Sequence, residues 1–580
     1  MNRSNFKFLN RVQILKVFLV LFGAILIGRL FYVQIVRHDY YQSKALAEHI
    51  KKFEITSVRG TIYLQDGDET VPVVLNERRY TIYADPKYIS DPKDTADKLI
   101  GLIGGSRESL KKKLETTDSR YIILAKKMTK DQANRIDALQ LKGIGKKEVN
   151  IRTYPQGNLA SQLLGFVNDD GDGQYGIEGY YNDKLAGKSG LQKAVTDVRG
   201  VPLAVNNDNI LLQPEPGDDL TLTIDIGMQK MVEDILKTGV ERTRSVRGSA
   251  IIMEANTGAI KAMANFPTYD PSSFDKVSDQ SIFQNAAVSM PWEPGSVMKP
   301  LLVSAAFNEG TATPETSYYE PGYVEIDDRT ITNSTPWAPQ TTTVKDVLYN
   351  SLNTGAVFVE KTLGGGEIND QARQTWYDYL VNHYRFSKKT GVEQSGEATG
   401  YVGGPFDGYG LNVRYANMAF GQGVMITPIQ LVAAYAAIIN GGTYYQPTLA
   451  AAQDANGRVK GTEPKVVTQN IISAAASSLI KDILKTTLEI NNKQAIRSGY
   501  VLGGKSGTAQ VADANGNYKT DVYDGAYIGY IGGADGPKYI MLVRLDEPKT
   551  PGFASAEAYK VWDEISNKLI DNFAIKPVSN

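Results

Sequence analysis

A serine and a lysine three positions apart on a helix share a face, with Cβ atoms about 5–6 Å apart, so the amine can take the hydroxyl proton. Ser-x-x-Lys occurs six times, at Ser4, Ser90, Ser109, Ser273, Ser296 and Ser478. The string alone selects nothing, but context separates the copies. Ser4 lies in the basic N-terminal tail. Ser90 has Pro92 inside its motif, which disfavours helix. Ser273 sits in a polar, turn-like run, and Ser109 and Ser478 lie on ordinary helical faces. Ser296 follows Pro294-Gly295 and precedes Val297-Met298-Lys299-Pro300-Leu301-Leu302. That places its hydroxyl at a turn-to-helix junction with apolar flanks. A helix N-terminus offers unpaired N–H groups and positive potential to a developing oxyanion. To act as a base near neutrality, Lys299 must fall about three pH units from about 10.4, a change worth about 4 kcal/mol. Burial beside a second cation can supply it.

Composition makes this pairing more than one choice among many. There are no cysteines, which excludes a thiol nucleophile, disulfides and Cys-ligated metals. The three histidines, His38, His49 and His383, form no HExxH, and a Ser-His-Asp hydrolase would have to be built on His383 alone. The loop Asn168-Asp169-Asp170-Gly171-Asp172-Gly173 begins like a calcium loop but lacks the acidic ligand that closes the twelve-residue pattern, so it reads as a turn. No metal or cofactor is expected. Lys plus Arg total 63 and Asp plus Glu 64, a balance that argues against nucleic acid as a partner.

Two further strings extend the serine–lysine pair. Ser-x-Asn occurs once, as Ser351-Leu352-Asn353, in a polar break after the helical Val344–Tyr349. Taken alone, that tripeptide reads as a loop or a helix cap. Lys-(Ser/Thr)-Gly occurs at Lys188, Lys237, Lys389 and Lys505, of which only the last two lie downstream of Ser351. Lys389 sits in a loop-like run. Lys505-Ser506-Gly507-Thr508 lies in the strand pattern Tyr500–Val511, where glycine on an edge strand lets a substrate backbone lie alongside. Lys505 is therefore preferred.

The elements that must position these residues divide the chain into four parts. Residues 1–11 are a short tail bearing Arg3, Lys7 and Arg11. Residues 12–36 are apolar enough to cross a hydrocarbon core of about 30 Å, with Lys16 and Arg29 near the ends. No small-x-small cleavage site follows, and the first acidic residue is Asp39, so the segment reads as an uncleaved single-pass anchor with a cytoplasmic N-terminus. Residues 37–213 form a stalk and mixed pedestal: 38–55 look helical, strands are expected at Thr61–Tyr63 and Tyr80–Tyr83, and helices at Asp94–Leu102 and Arg107–Glu115. After the turn cluster Pro214–Asp219, residues 214–580 read as an α+β domain. A strand at Leu220–Ile224 and a helix at Met228–Val240 lead into a hairpin, Ser249–Glu254 with Ala259–Ala264. Strands near Val501–Val511, Tyr527–Ile531 and Tyr539–Leu545 and a final helix striped by Val561, Ile565, Leu569 and Phe573 close it. Strands at both ends with helices between suggest one antiparallel sheet flanked by helices.

The ordered set Ser-x-x-Lys, Ser-x-Asn, Lys-Ser-Gly resembles that of the penicillin-recognising serine acyltransferases, and the whole chain resembles a class B penicillin-binding protein. Arg59-Gly60-Thr61-Ile62, the stretch Gly176–Tyr181 with Gly187 and Gly190, Thr257-Gly258, Phe420-Gly421-Gln422-Gly423, Thr427-Pro428-Ile429-Gln430 and Asn440-Gly441-Gly442 all fit that family in order. The resemblance implies a peptidoglycan D,D-transpeptidase. Ser296 would attack the bond between the terminal D-alanines, with Lys299 as base and Ser351 and Lys505 relaying the proton. Asn353 would hydrogen-bond the peptide backbone, and Lys505, Ser506, Gly507 and Thr508 would form the strand that holds the terminal carboxylate. Backbone N–H groups of Ser296 and Thr508 would form the oxyanion hole. Expected partners are stem peptides and the lipid-linked precursor, β-lactams, the bacterial cell membrane and division proteins, with the catalytic domain outside the membrane.

Water in place of the acceptor amine would give a D,D-carboxypeptidase or β-lactamase with the same three motifs. A non-catalytic β-lactam sensor or scaffold is the other alternative. No acidic glycosyltransferase motif stands near the N-terminus, which implies a SEDS-type glycosyltransferase partner. Ser351–Gly355 resembles the septal type more than the elongation type.

Overall fold

The computed structural model describes residues 11–38, 50–55, 57–116, 118–195, 210–453, 459–461, 463–513 and 517–578. They fall into two compact units, one drawn from residues 1–58 and 187–217, the other from 59–186 and 218–580.

In the first unit, helix α1 (Arg11–Phe31) carries the apolar run, and Leu15–Val36 is long and apolar enough to cross a membrane. The helical expectation for 38–55 fails at its C-terminal end. Ile50–Ile55 is a strand, antiparallel to Gly190–Val195, which also pairs with Ile210–Leu212. Pairing with a distant segment outweighs local helix preference. Residues 39–49 lie outside the described residues.

The second unit opens with a hairpin of β1 (Ile62–Asp66) and β2 (Glu69–Ala84). The C-terminal half of β2 pairs with both β3 (Ile122–Met128) and β4 (Ile144–Thr153). Helices Pro92–Ile103 and Arg107–Leu114 start where Asp91 and Ser106 cap them, and pack Leu99, Leu110 and Leu114 against Ile82 and Ile136. Two of the resemblance-bearing stretches meet here in one buried ion cluster. Arg59 Nε donates to Glu178 Oε2 at 2.7 Å and Arg152 Nε to Oε1 at 2.8 Å, with Glu178 fully buried. Glycine at 173 lets the chain pass close to the cluster, because a Cβ there would collide with the Glu178 carbonyl and press on the Arg59 guanidinium. Strand β5 (Leu220–Asp225) runs parallel to β1, and the Asp225 side chain accepts the Met228 N–H to start α2 (Ile226–Thr243).

The hairpin β6 (Arg247–Glu254) and β7 (Ile260–Phe266) follows as the sequence predicts. The long stretch behind it carries α3 (Lys299–Asn308), α4 (Val344–Tyr349), α5 (Asn353–Leu363), α6 (Pro428–Ile439) and α7 (Ala474–Asn491). The chain then returns through β8 (Val501–Ala512), β9 (Tyr518–Gly533), β10 (Gly536–Asp546) and α8 (Ala554–Asn572). The sheet runs β7–β6–β10–β9–β8, antiparallel throughout, so strands from both ends of the region share one sheet and β8 is an edge.

Helices α2 and α8 cover one face. Val561, Ile565 and Leu569 are buried there beside Trp562, against Ile252, Tyr527 and Met541; Phe573 falls just past the last turn and packs at the rim. The larger core fills the other side around α3 and α6. Helix α6 is apolar on every face and buried along its length, started by a capping box between Thr427 and Gln430.

Candidate active site

Ser296 stands in a single 3-10 turn, Gly295–Met298, that runs directly into α3. Pro300 occupies the second position of that helix, where a missing N–H costs nothing. Backbone clamps the turn. The Gly295 N–H donates to the Gly421 carbonyl at 3.0 Å, and the Tyr435 hydroxyl on α6 donates to the Val297 carbonyl. Gly421 has φ +85°, and a Cβ there would collide with the Gly295 carbonyl oxygen. Only glycine lets the two turns touch.

The second motif turns between two helices. Thr343 and Asp346 form a capping box at the start of α4. After α4 ends, Ser351 adopts a left-handed φ of +56°, and Asn353 opens α5. The N-cap position of α5 is Leu352, whose side chain makes no cap. Asn333, from the chain just after a small hairpin of Tyr323–Ile326 and Arg329–Thr332, supplies one instead. Its Oδ1 accepts the N–H groups of Asn353 at 2.7 Å and Thr354 at 3.2 Å. The Thr354 hydroxyl donates to the buried Glu320 carboxylate at 2.7 Å.

Both lysines converge on this turn. Lys299 Nζ donates to the Ser351 carbonyl at 2.6 Å and to Asn353 Oδ1 at 2.8 Å, and lies 3.4 Å from Ser351 Oγ. Lys505 Nζ donates to Ser351 Oγ at 2.9 Å and to the Ser506 carbonyl at 3.1 Å. Both side chains are buried, and among the described residues neither makes an ion pair. Full burial holds Lys299 far below the ordinary lysine range, and the nearby Lys505 ammonium adds to this. Burial pushes Lys505 down to about 7.

The third motif lies on the edge strand β8. Ser506, Thr508 and Gln510, on alternate positions and so on one face, line a cavity of about 810 Å³ together with Ser296, Ser351 and Asn353. Gly507 faces the nucleophile turn, where a Cβ would come 2.8 Å from the Pro294 carbonyl oxygen. The Thr508 hydroxyl donates to Ser555 Oγ at 2.9 Å, at the start of α8. All eight residues singled out by the sequence thus lie in or directly behind one cavity. One expectation is narrowed. The Asn353 side-chain amide gives one N–H to the Thr332 carbonyl at 3.1 Å and its oxygen to Lys299, leaving one N–H for a substrate.

The competing strings lie elsewhere. Lys389 is exposed beside a separate cleft that includes Glu397 and Tyr401. His383 places Nδ1 2.6 Å from the Ile471 carbonyl and Nε2 3.3 Å from Asp378, away from the cavity lining. Asn333 and Glu320, which hold the Ser351 turn, and Tyr523 and Phe553, which line the cavity, escape sequence reasoning. Their contacts form only in the folded chain, and no local pattern marks them.

Comparison with known proteins agrees with this geometry. Residues 248–571 match the penicillin binding protein transpeptidase domain and residues 54–222 the penicillin-binding protein dimerisation domain. Stage V sporulation protein D of Bacillus subtilis is 30% identical over 574 residues, covering 97% of this chain and 86% of that protein. Peptidoglycan D,D-transpeptidase FtsI of Escherichia coli K12 is 24% identical over 571 residues, covering 96% and 90%. The crystal structure of penicillin binding protein 2X from Streptococcus thermophilus superposes with a TM-score of 0.72 at 25% identity, covering 90% of this chain and 81% of that one. With a transpeptidase domain behind a dimerisation domain and an N-terminal membrane-anchoring helix, the chain belongs to the class B penicillin-binding proteins.

Proposed function

We propose that this protein is a serine-type peptidoglycan D,D-transpeptidase. The observation that carries the reading is the convergence of Lys299 and Lys505 on Ser351 Oγ, in the cavity that Ser296 lines. Lys299, kept neutral by burial, takes the Ser296 proton as Oγ attacks the carbonyl between the terminal D-alanines. The proton passes through Ser351, with Lys505, to the departing amine, and D-alanine leaves. Acyl-Ser296 then transfers to an amino group of a neighbouring stem peptide. Lys505, Ser506 and Thr508 hold the terminal carboxylate, and the remaining Asn353 N–H meets the peptide backbone. The N–H groups of Ser296 and Thr508 face the oxyanion, where one donor is worth about 3–4 kcal/mol. β-Lactams acylate the same serine, since their amide mimics the dipeptide.

The basic tail before α1 supports a cytoplasmic N-terminus and an extracytoplasmic catalytic domain. The family matches at 54–222 and 248–571 support reading 37–213 as stalk and pedestal and 214–580 as the transpeptidase domain. A relative named FtsI supports the septal role. Strand polymerisation then falls to a membrane partner of the SEDS type.

Mass spectrometry of the intact chain after penicillin treatment tests the reading. The wild type should gain one acyl group, and Ser296→Ala should fold yet gain none. Persistent labelling of that variant would mean another nucleophile, and rapid release of hydrolysed penicillin by the wild type would favour a β-lactamase.

A further inference from the structure

Helix α5 begins at a motif residue but carries no cap of its own. Its N-cap residue is Leu352, and the residue before that is the left-handed Ser351. The first turn of a helix leaves N–H groups without partners, and an unmade cap frays it. Here fraying would move the two groups that Lys299 contacts, the Ser351 carbonyl and Asn353 Oδ1. The cap comes from a different part of the chain: Asn333 Oδ1 accepts the Asn353 and Thr354 N–H groups. Both are donors, so the accepting atom must be the amide oxygen, and Asn333 Nδ2 is buried with no hydrogen-bond partner among the described residues.

We propose that Asn333 is a positioning residue of the transpeptidation site, a neutral cap supplied from outside the helix that fixes Ser351 and Asn353 around Lys299. The inference rests on the transpeptidase reading above. Its neutrality matters as much as its oxygen. An aspartate would keep the cap oxygen and gain from the helix dipole, but it would share the Thr354 hydroxyl with the buried Glu320 carboxylate and bring a charge next to Asn353, whose Oδ1 meets Lys299. The charged group that acts on Lys299 in the native site is Lys505, which disfavours its protonation. On the hairpin side the buried Glu320 already serves Thr354, the Tyr318 hydroxyl and the Gly322 N–H. A neutral side chain at 333 therefore holds the turn without restoring charge to the base.

The test is the rate of acylation by a fluorescent penicillin, followed against pH in the full-length protein. Asn333→Ala should lower the second-order rate at least tenfold, chiefly in the acylation step rather than in initial binding, while still reaching one label per chain. Asn333→Asp should approach the rate of the wild type at the same pH on the alkaline side, with the acid limb of its profile displaced upward. Wild-type rates in Asn333→Ala, or an Asn333→Asp profile without displacement, would overturn the proposal. If Asn333→Ala does not fold, the Asn333→Asp profile decides alone. Failure of the wild type to label at all would instead sink the transpeptidase reading.

Discussion

Lys299 and Lys505 meet at one hydroxyl, with Nζ atoms 3.4 Å and 2.9 Å from Ser351 Oγ. Two ammonium groups cannot share so small and buried a space without cost, so at least one sheds its proton near neutrality. Charge repulsion and burial act in the same direction on the residue that must serve as base. The oxygen atoms around Lys299 belong to a carbonyl, an amide and a hydroxyl, and they orient the amine without holding its charge as a carboxylate would.

Acylation by a carboxylate-bearing penicillin should follow a bell-shaped pH profile. The acid limb reports deprotonation of Lys299. The alkaline limb begins near pH 7, where Lys505 loses the charge that attracts the carboxylate. Stopped-flow labelling from pH 5 to 9 checks this; the alkaline limb should appear in the initial binding constant and, because Lys505 also relays the proton through Ser351, in the acylation step. Because the two lysines interact, the limbs belong to the pair.

The same shift carries a stability consequence. Lys505 titrates near 7 in the folded chain and near 10.5 when unfolded. Between those values the unfolded chain holds the extra proton, so native stability rises with pH. Lys505→Met should therefore melt higher than wild type at pH 6, and the difference should shrink as pH rises from about 7 to about 10. Thermal melts across that range check the slope. A gain independent of pH would mean that shape rather than charge sets it.

Lys389→Ala should label with penicillin at close to the wild-type rate, because its side chain is exposed beside a different cleft. Lys505→Ala should cut the rate by about a hundredfold or more, as expected where a charge-assisted contact and a proton relay are lost together. The reverse order would reassign the third motif.

Gly421→Ala should impair the nucleophile without touching it. The new methyl would require a left-handed alanine and would push against the Gly295 carbonyl. We expect a loss of about 1–3 kcal/mol in stability and a larger relative loss in acylation rate, read from denaturant unfolding and from labelling. Gly423→Ala, also at positive φ but with open space around its Cβ, should show strain in stability with a much smaller catalytic defect.

Much of the site could be read from the chain because each motif is local. The Ser296–Lys299 spacing, the break after Tyr349 and the strand around Lys505 are all set within a dozen residues of sequence. The Val561, Ile565 and Leu569 stripe was likewise legible, because a helix face repeats within the helix itself. Long-range pairing was less visible. Ile50–Ile55 looks helical by composition yet joins Gly190–Val195, and β9 runs well before Tyr527 because its polar N-terminal half has a partner in β8. Asn333 was hidden for a third reason: a cap supplied from another hairpin leaves no spacing to count.

Strand β8 ends its sheet, and an unsatisfied rim of backbone is a risk in any protein held at high density in two dimensions. A neighbouring copy, or a partly unfolded one, could zip onto it. Here the rim is recessed, since residues 330–335 and 552–555 line the same cavity as Ser506, Thr508 and Gln510. Such shelter is a recognised defence against strand-to-strand aggregation. Removing either rampart should thus cost solubility and chemistry together, because Asn333 lies in one and Ser555, the partner of Thr508, in the other.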